Sequence, residues 1–492
     1  MIEIIDIKQL QENLPEIQRI LTKLGVVSAS ANSSYRLKDL LDTLRDNLIV
    51  SVEYEYVDAM YRDEYYRFYA TKYHKYPRNC AKMSFFESGA LTPGCMVDYS
   101  KSDEIRRSYL GFVVLRPIDA CIGRNVISVK AKKAALNDIA ICHANVNTTA
   151  LGLKVCVDGF PHSSQDSEMM ACAETALWSI SEYYGHKYPG YKPVSPSEIL
   201  EAMRPFSHQR QLPSKGLTFD QISIGMKTFG FSPEVYQLYR TDPSDPNKQV
   251  ISEEMKEVFS CYVESGFPLA LCLQGSTVGH AAVCVGRVEK NRALNQEKVN
   301  GRDLYFFNQS VDEFVVNDDN YPSYQKTIIT APTCYYSDAN WKDVLLTSFM
   351  VPLPSKVYMD AYLAINQSKF LLGHFAPDGS VVRTYLASSR SLRDHVAASK
   401  VMPNEDKQIL LDIPFPRFVW VTEFGTIDEY NHAVNSGIIV LDATEPTDRS
   451  TNPLIMAING DRGVIYNMEQ NRFDNLNLPE NLIIEKYDKN IN

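Results

Sequence analysis

Two kinds of apolar segment are missing from this sequence of 492 residues. No stretch approaches the roughly 20 consecutive apolar residues that span a bilayer. The first residues, Met-Ile-Glu-Ile-Ile-Asp, also lack the basic flank and apolar run of a secretory signal peptide. We therefore expect a cytoplasmic protein without a membrane partner.

Paired cysteine motifs are missing as well. The ten cysteines are scattered, none forms a Cys-x-x-Cys pair, and several lie in apolar runs such as Leu-Ala-Leu-Cys-Leu at 269–273. In a chain of this length the pattern favours free thiols in a reducing compartment over a disulfide scaffold.

Basic patches and cofactor motifs are also absent. The net charge of −10 and the lack of a basic stripe argue against a nucleic-acid partner. The sequence has no phosphate-binding loop, no dinucleotide-binding glycine pattern and no His-Glu-x-x-His helix. The segment from Cys156 to His162 lacks the paired ligands of a zinc site. Gly275–Gly279 resembles a nucleophile elbow, but Thr277 occupies its centre and the strand-to-helix context is missing. We expect neither a cofactor nor a metal.

The length and the hydrophobic content of 45% predict several domains with sizeable cores. We divide the chain into an α+β region at 1–148, a central α+β region at 149–335 and a β-rich region at 336–492. The first region is predicted to open with two helices and then a strand over Leu48–Tyr56. The strands predicted for the third region are Gln408–Asp412, Arg417–Glu423, Gly437–Asp442, Leu454–Ile458 and Val464–Tyr466.

A tyrosine stripe follows the first predicted strand. Tyr61, Tyr65, Tyr69 and Tyr73 recur every four residues, so a helix would place them along one face. Such a stripe either forms a recognition surface or packs into the core of its own region. Packing is the favoured interpretation, because periodic aromatic residues usually belong to a core.

The central region is predicted to have helices first and an antiparallel sheet afterwards. One helix runs from Ala171 to Tyr184, and capping residues begin three more at Ser195, Thr218 and Ser252. The strands predicted after Gly266 are 268–273, 280–288, 304–307 and 313–317.

Cys172 is the candidate nucleophile, since it lies at the start of the first of these helices. The unsatisfied amides and the dipole of a helix N-terminus stabilise a thiolate. Taken alone, Cys172 would more often be a buried cysteine that fills a gap in the core.

His280 and Asp318 give Cys172 the partners it needs. His280 opens an apolar strand after a flexible turn, so one ring nitrogen can face the thiol and the other an acceptor. Asp318, or alternatively Asp319, follows the strand predicted at 313–317 and can orient the imidazole. Taken singly, His280 could equally be a turn residue, and the two aspartates fit ordinary turn chemistry.

Gln165 is the candidate oxyanion donor. Its side-chain amide precedes the nucleophile by seven residues and could act together with the backbone N–H of Cys172. An ordinary loop glutamine is an equally good interpretation.

The order of these motifs resembles that of papain-like cysteine peptidases, over about 165–325. The segments that carry the resemblance are Gln165…Cys172-Ala-Glu-Thr-Ala-Leu-Trp, Gly216-Leu-Thr-Phe-Asp-Gln-Ile, Gly279-His280-Ala-Ala-Val-Cys-Val-Gly and Phe314-Val-Val-Asn-Asp-Asp-Asn. The branch they are most similar to is the bacterial one that includes the double-glycine leader peptidases of bacteriocin exporters. The resemblance implies a papain-like central domain with Gln165, Cys172, His280 and Asp318 in the catalytic roles.

We therefore predict a bacterial-type cysteine peptidase that acts on a protein or peptide substrate through an acyl-enzyme. One alternative is acyl transfer or side-chain deamidation, as in transglutaminase-like enzymes with the same Cys–His–Asp order. Another is a catalytically silent papain-like fold used for binding. The additional regions could recruit a regulatory protein partner.

Overall fold

The computed structural model of the protein describes residues 1–26, 31–242, 244–446 and 452–491. Its helices are α1 Ile7–Glu12, α2 Leu14–Leu24, α3 Ala31–Asp42, α4 Ala59–Arg67, α5 Ser102–Ser108, α6 Cys172–Lys187, α7 Pro196–Met203, α8 Phe219–Thr228, α9 Glu253–Glu264, α10 Ala361–Phe375, α11 Ser389–Ala398, α12 Asn404–Asp412 and α13 Ile427–Asn431. Among the described residues, no helix is both long enough and apolar enough to cross a bilayer.

The strands complete a mixed α+β structure, as predicted. They are β1 Ile2–Asp6, β2 Leu48–Tyr56, β3 Cys80–Glu87, β4 Tyr109–Leu115, β5 Ile122–Ile127, β6 Ile139–Ile141, β7 Ala144–Ala150, β8 Leu153–Gly159, β9 Phe231–Gln237, β10 Tyr239–Asp242, β11 Asp245–Ile251, β12 Leu269–Gln274, β13 Gly279–Val288, β14 Asn295–Val299, β15 Arg302–Phe306, β16 Glu313–Asn317, β17 Gln325–Ile328, β18 Leu345–Pro354, β19 Val381–Ser388, β20 Phe418–Gly425, β21 Val434–Asn435, β22 Gly437–Asp442, β23 Leu454–Asn459, β24 Arg462–Asn467, β25 Arg472–Asn477 and β26 Ile484–Glu485.

The chain folds into two compact units. The first contains Met1–Pro233, Ala270–Glu289 and Phe314–Leu346, and the second contains Glu234–Leu269, Lys290–Glu313 and Thr347–Asn492. All the candidate site residues belong to the first unit. The three regions drawn from the sequence, 1–148, 149–335 and 336–492, stay a prediction.

The first unit begins with an antiparallel sheet in the order β1-β2-β3-β4-β5. Helices α1 to α3 cover one face through buried side chains such as Ile17 and Leu37. The prediction that the chain opens with helices was wrong, because Ile2–Asp6 pairs with β2 before Asp6 caps α1. The strand predicted over Leu48–Tyr56 is confirmed.

The other face of this sheet carries part of the tyrosine stripe. Tyr61 and Tyr69 are buried there among the side chains of β4 and of the hairpin β7–β8. Tyr65 is half-buried and Tyr73 is 97% exposed. The packing interpretation is therefore confirmed for Tyr61 and Tyr69 and wrong for Tyr73. The helix ends at Arg67, and Tyr69 begins a short 3-10 turn that ends at Thr71, before Tyr73.

The predicted order, helices first and an antiparallel sheet afterwards, is only partly present, because the unpredicted strands β9, β10 and β11 lie between α8 and α9. Helix α6 begins at Cys172 and continues past the expected stop at Gly185 to Lys187. Both capping boxes, at Ser195 and at Thr218, are present. Strand β13 then pairs antiparallel with β16 on one side and with the short β6 as well.

The second unit is built on a sheet in the order β14-β15-β19-β20-β22-β23-β24-β25. Two sequence predictions were wrong here. Strand β15 belongs to this sheet, beside β19, and not to the sheet of β13 and β16. The segment Gln408–Asp412 lies in helix α12, whose acidic first turn at Glu405 and Asp406 favours a helix N-terminus. The other four strands predicted for the third region are present.

Candidate active site

Cys172 is the first residue of α6, and the residue before it supplies no side-chain cap. The first amides of a helix have no intrahelical acceptor, so they face whatever lies at the helix start. The thiol is half-buried and lines a cleft of about 240 Å³. Leu217, Phe219 and Leu273 supply apolar walls of this cleft, and His280 lies in it as well.

His280 contacts both Cys172 and Asp318. Its Nε2 atom lies 2.9 Å from Asp318 Oδ1, and the Cys172 side chain is close enough to raise the pKa of the ring. Because Nε2 is taken by the carboxylate, Nδ1 is the nitrogen left for the thiol. Burial alone would lower the pKa of His280, but the charge of Asp318, the hydrogen bond to it and the nearby Cys172 side chain raise it well above its usual value. The imidazolium form is therefore favoured.

The strand register explains why these residues meet. Val283 on β13 faces Asn317 on β16, and the strands are antiparallel, so the start of one lies beside the end of the other. His280 precedes Val283 by three residues, and Asp318 directly follows Asn317. The pairing therefore brings the imidazole and the carboxylate to the same edge.

Asp318 is almost completely surrounded by hydrogen-bond donors. Its Oδ2 atom accepts from the hydroxyls of Tyr335 at 2.9 Å and Tyr336 at 2.8 Å. Its Oδ1 atom accepts from the backbone N–H of Asn320 at 3.0 Å in addition to its contact with His280. Burial acts to raise the pKa of Asp318, but the charge of His280 and these donors lower it below its usual value. Asp318 is therefore ionised.

Trp341 covers the imidazole from the side. Its ring meets the His280 ring edge to face, with centroids 5.3 Å apart, and stacks on Tyr336 at 3.8 Å. Asp343, two residues further on, accepts from the backbone N–H and hydroxyl of Ser276 in the turn before β13. The segment after Tyr335 thus shields the His280–Asp318 hydrogen bond from water and fixes the turn that carries His280.

Asp319 has a different environment from Asp318. One of its oxygens lies 3.7 Å from His280 Nε2, and neither oxygen has a hydrogen-bond partner among the described residues. Burial and the charge of Asp318 raise the pKa of Asp319 to about 8, with partial opposition from His280. Asp318 is thus the acid that the structure pairs with His280, and Asp319 is held in its neutral form.

A cavity of about 10 Å³, the size of one water molecule, lies beside Asp319 and Cys172. Asn317, whose Nδ2 has no partner among the described residues, and His162 also line it. Burial lowers the pKa of His162 to about 4, so this second histidine is neutral. Its Nε2 lies 3.1 Å from the carbonyl oxygen of Tyr321, which fixes the ring as a structural group.

A cluster of one histidine and two aspartates can also bind a metal ion. His280, Asp318 and Asp319 offer ligand atoms within 4.8 Å of one another. In the structure, however, His280 and Asp318 are already bound to each other, and Asp318 accepts three further hydrogen bonds. The arrangement fits a hydrogen-bonded chain better than a coordination sphere. The expectation of no metal stays a prediction.

Gln165 lies next to the chain of hydrogen bonds. Its amide nitrogen donates one hydrogen to Asn320 Oδ1 at 3.0 Å, and Asn320 in turn contacts Asp318 through its backbone. The second amide hydrogen of Gln165 is left for another acceptor. The expected role as an oxyanion donor stays a prediction.

Three residues of this site were missed by sequence reasoning: Tyr335, Tyr336 and Trp341. They lie after the last strand of the predicted motif, in a segment without helical or strand periodicity. The signal that could have found them is the density of aromatic residues between Tyr335 and Trp341, close behind the candidate acid.

Comparisons with known proteins add a distant structural likeness. No protein-family model and no curated protein matches the chain. Among solved structures, the chain is similar to the peptidase domain of Streptococcus ComA, a bi-functional ABC transporter involved in a quorum sensing pathway. The match has 14% sequence identity and a TM-score of 0.20, and it covers 37% of this chain and 90% of that domain. At these values the likeness does not bear on the activity of this protein.

Proposed function

We propose that the protein is a cysteine peptidase that hydrolyses peptide or amide bonds through Cys172, His280 and Asp318. The observation that carries the proposal is that His280, hydrogen-bonded to the buried carboxylate of Asp318, lines the same open cleft as the Cys172 thiol at the start of α6. A buried histidine with a raised pKa, paired with an ionised acid and a thiol, is the arrangement that activates a cysteine nucleophile.

In the first half of the reaction, the Cys172 thiolate attacks the carbonyl carbon of the scissile amide. A C–S bond forms, and the carbonyl electron pair moves onto oxygen. When the tetrahedral intermediate collapses, the C–N bond breaks and the His280 imidazolium gives its proton to the leaving nitrogen. Water then attacks the thioester, with His280 as the base that removes its proton, and the thiolate leaves.

The oxyanion of each tetrahedral intermediate needs donors already in place. In this proposal the backbone N–H of Cys172 is one donor, because it belongs to the first turn of α6. The free amide hydrogen of Gln165 is the other. Asp318 keeps the imidazole ring oriented and stabilises its charge throughout.

We also propose that the surrounding elements form a papain-like peptidase domain of the bacterial branch, with a protein or peptide as substrate. This rests on the order of elements around the site, a helix that begins with the nucleophile and a later strand that begins beside the histidine. The cleft beside Cys172 has a volume of about 240 Å³ and is lined by Leu217, Phe219 and Leu273, which suits an apolar side chain of a bound peptide.

The test compares the natural protein with Cys172→Ala on a mixture of proteome-derived peptides, with new N-termini read by mass spectrometry. Cleavage by the natural protein and by Cys95→Ala, but not by Cys172→Ala, is the expected result, since Cys95 is an exposed cysteine outside the site. New termini that persist in Cys172→Ala would refute the proposal.

Labelling with iodoacetamide separates the remaining cases. Fast, selective labelling of Cys172 without any cleavage would favour transfer or deamidation. Slow labelling equal to that of Cys95 would favour a binding role and overturn the peptidase proposal.

A further inference from the structure

One residue of the tyrosine stripe, Tyr69, contacts the loop that precedes Cys172. The hydroxyl of Tyr69, just after α4, donates to Asp166 Oδ2 at 2.7 Å. Nearby, the Nζ atom of Lys72 forms an ion pair with Glu168. Two side chains of one short segment in the N-terminal region therefore contact the loop six and four residues before the candidate nucleophile.

The carboxylate of Asp166 also binds the backbone of the same loop. Its Oδ1 atom accepts from the N–H groups of Glu168, Met169 and Met170 at 3.1, 2.9 and 2.8 Å. A carboxylate that accepts three successive amides fixes the path of the chain between them, because each bond constrains one peptide plane. The fixed chain leads directly into Ala171 and the first amide of α6.

The same loop is held at two more points. Arg116, a buried residue at the end of β4, donates to the carbonyl oxygen of Ser164 at 2.9 Å. The carbonyl oxygen of Glu168 accepts from the N–H of Ser214 at 2.6 Å. Ser214 is two residues before Gly216, which lines the cleft. Hence the loop from Ser164 to Met170 determines the position of Cys172 and also the position of the cleft wall around Gly216.

We propose that Tyr69 is a positioning residue for Cys172, acting through Asp166, and that the N-terminal region thereby completes the catalytic site. This inference deepens the proposed peptidase function and rests on it. The donors of an oxyanion hole must be held to within a fraction of an ångström. Loss of the Tyr69 hydroxyl leaves Asp166 Oδ2 without this donor. The Asp166 carboxylate can then rotate, and the loop before Cys172 can adopt conformations that the natural protein excludes.

The test uses the full chain with Tyr69→Phe, and Tyr65→Phe as the matched control. Tyr65 belongs to the same stripe, its ring packs against Tyr61 and Tyr66, and its hydroxyl has no partner among the described residues. On a peptide that the natural protein cleaves, Tyr69→Phe should lower kcat about tenfold and leave KM within about twofold. Tyr65→Phe should change neither. A purely structural role would lower the melting temperature without this split between kcat and KM.

A double-mutant comparison and the alkylation rate of Cys172 test whether Tyr69 acts through Asp166. In an Asp166→Asn background, Tyr69→Phe should have no additional effect on kcat, whereas additive losses would overturn the proposal. If the natural protein cleaves no peptide, the peptidase proposal fails by itself, and the alkylation rate of Cys172 decides the present one. A rate about tenfold slower in Tyr69→Phe than in Tyr65→Phe supports positioning, and equal rates overturn it.

Discussion

Replacement of Asp318 by asparagine removes one negative charge beside His280 and leaves the size of the side chain unchanged. The Nε2–Oδ1 distance of 2.9 Å places the two charge centres about 4 Å apart. At an effective dielectric constant of about 20, two unit charges at about 4 Å interact with about 4 kcal/mol. The thiolate–imidazolium pair of the proposed mechanism should therefore be up to about a thousandfold less populated in the variant.

The alkylation rate of Cys172 reports the population of this ion pair, and its measurement needs no knowledge of the substrate. The rate constant for iodoacetamide, read by peptide mass spectrometry between pH 5 and pH 9, should fall by about a hundredfold to a thousandfold in Asp318→Asn at pH 6. The difference should shrink towards pH 9, where a free thiol ionises without help. Asp312→Asn, at a largely exposed aspartate, is the control. Equal rates for Asp318→Asn and the natural protein over this pH range would refute the argument.

Two other substitutions test the neighbouring groups. Because burial raises the pKa of Asp319 to about 8, the folded state keeps a proton that the unfolded chain releases near pH 4. The free energy of unfolding should therefore fall as the pH rises from about 4 through about 8. Urea titrations should show that Asp319→Asn removes the share of this fall that comes from Asp319. An unchanged pH dependence in the variant would contradict the raised pKa of Asp319. Gln165→Ala should lower kcat by tenfold or more with little change in KM, if its amide stabilises the oxyanion in peptide cleavage. A rise in KM alone would instead assign Gln165 to substrate binding.

Much of the site geometry was accessible from the sequence, because each element there carries a local signal. Cys172 follows a polar loop and begins a helical pattern, and His280 follows a turn and begins an apolar strand. Asp318 directly follows β16, and it lies near His280 because β16 pairs antiparallel with β13, although β14 and β15 come between these two strands in the sequence. The catalytic roles of these residues stay predictions.

The parts that could not be predicted depend on contacts between distant segments. Tyr335 and Trp341 reach the site from a segment without periodicity, and no local rule says where such a segment packs. Strand β15 has an ordinary strand sequence, and only tertiary structure decides that it joins β19. The error at Gln408–Asp412 is of another kind. A short apolar run such as Ile409 to Leu411 fits a helix and a strand equally well.

The two adjacent aspartates show how environment can divide roles between identical groups. Asp318 accepts four hydrogen bonds and is ionised, whereas Asp319 accepts none from the described residues and is neutral below about pH 8. If both were ionised, two negative charges would lie within 4 Å of the imidazole and would bind its proton more tightly. His280 must release that proton to the leaving nitrogen in the proposed reaction, so an excess of negative charge would slow the step it is meant to assist. A neutral Asp319 thus lets Asp318 orient the ring without making it too weak an acid.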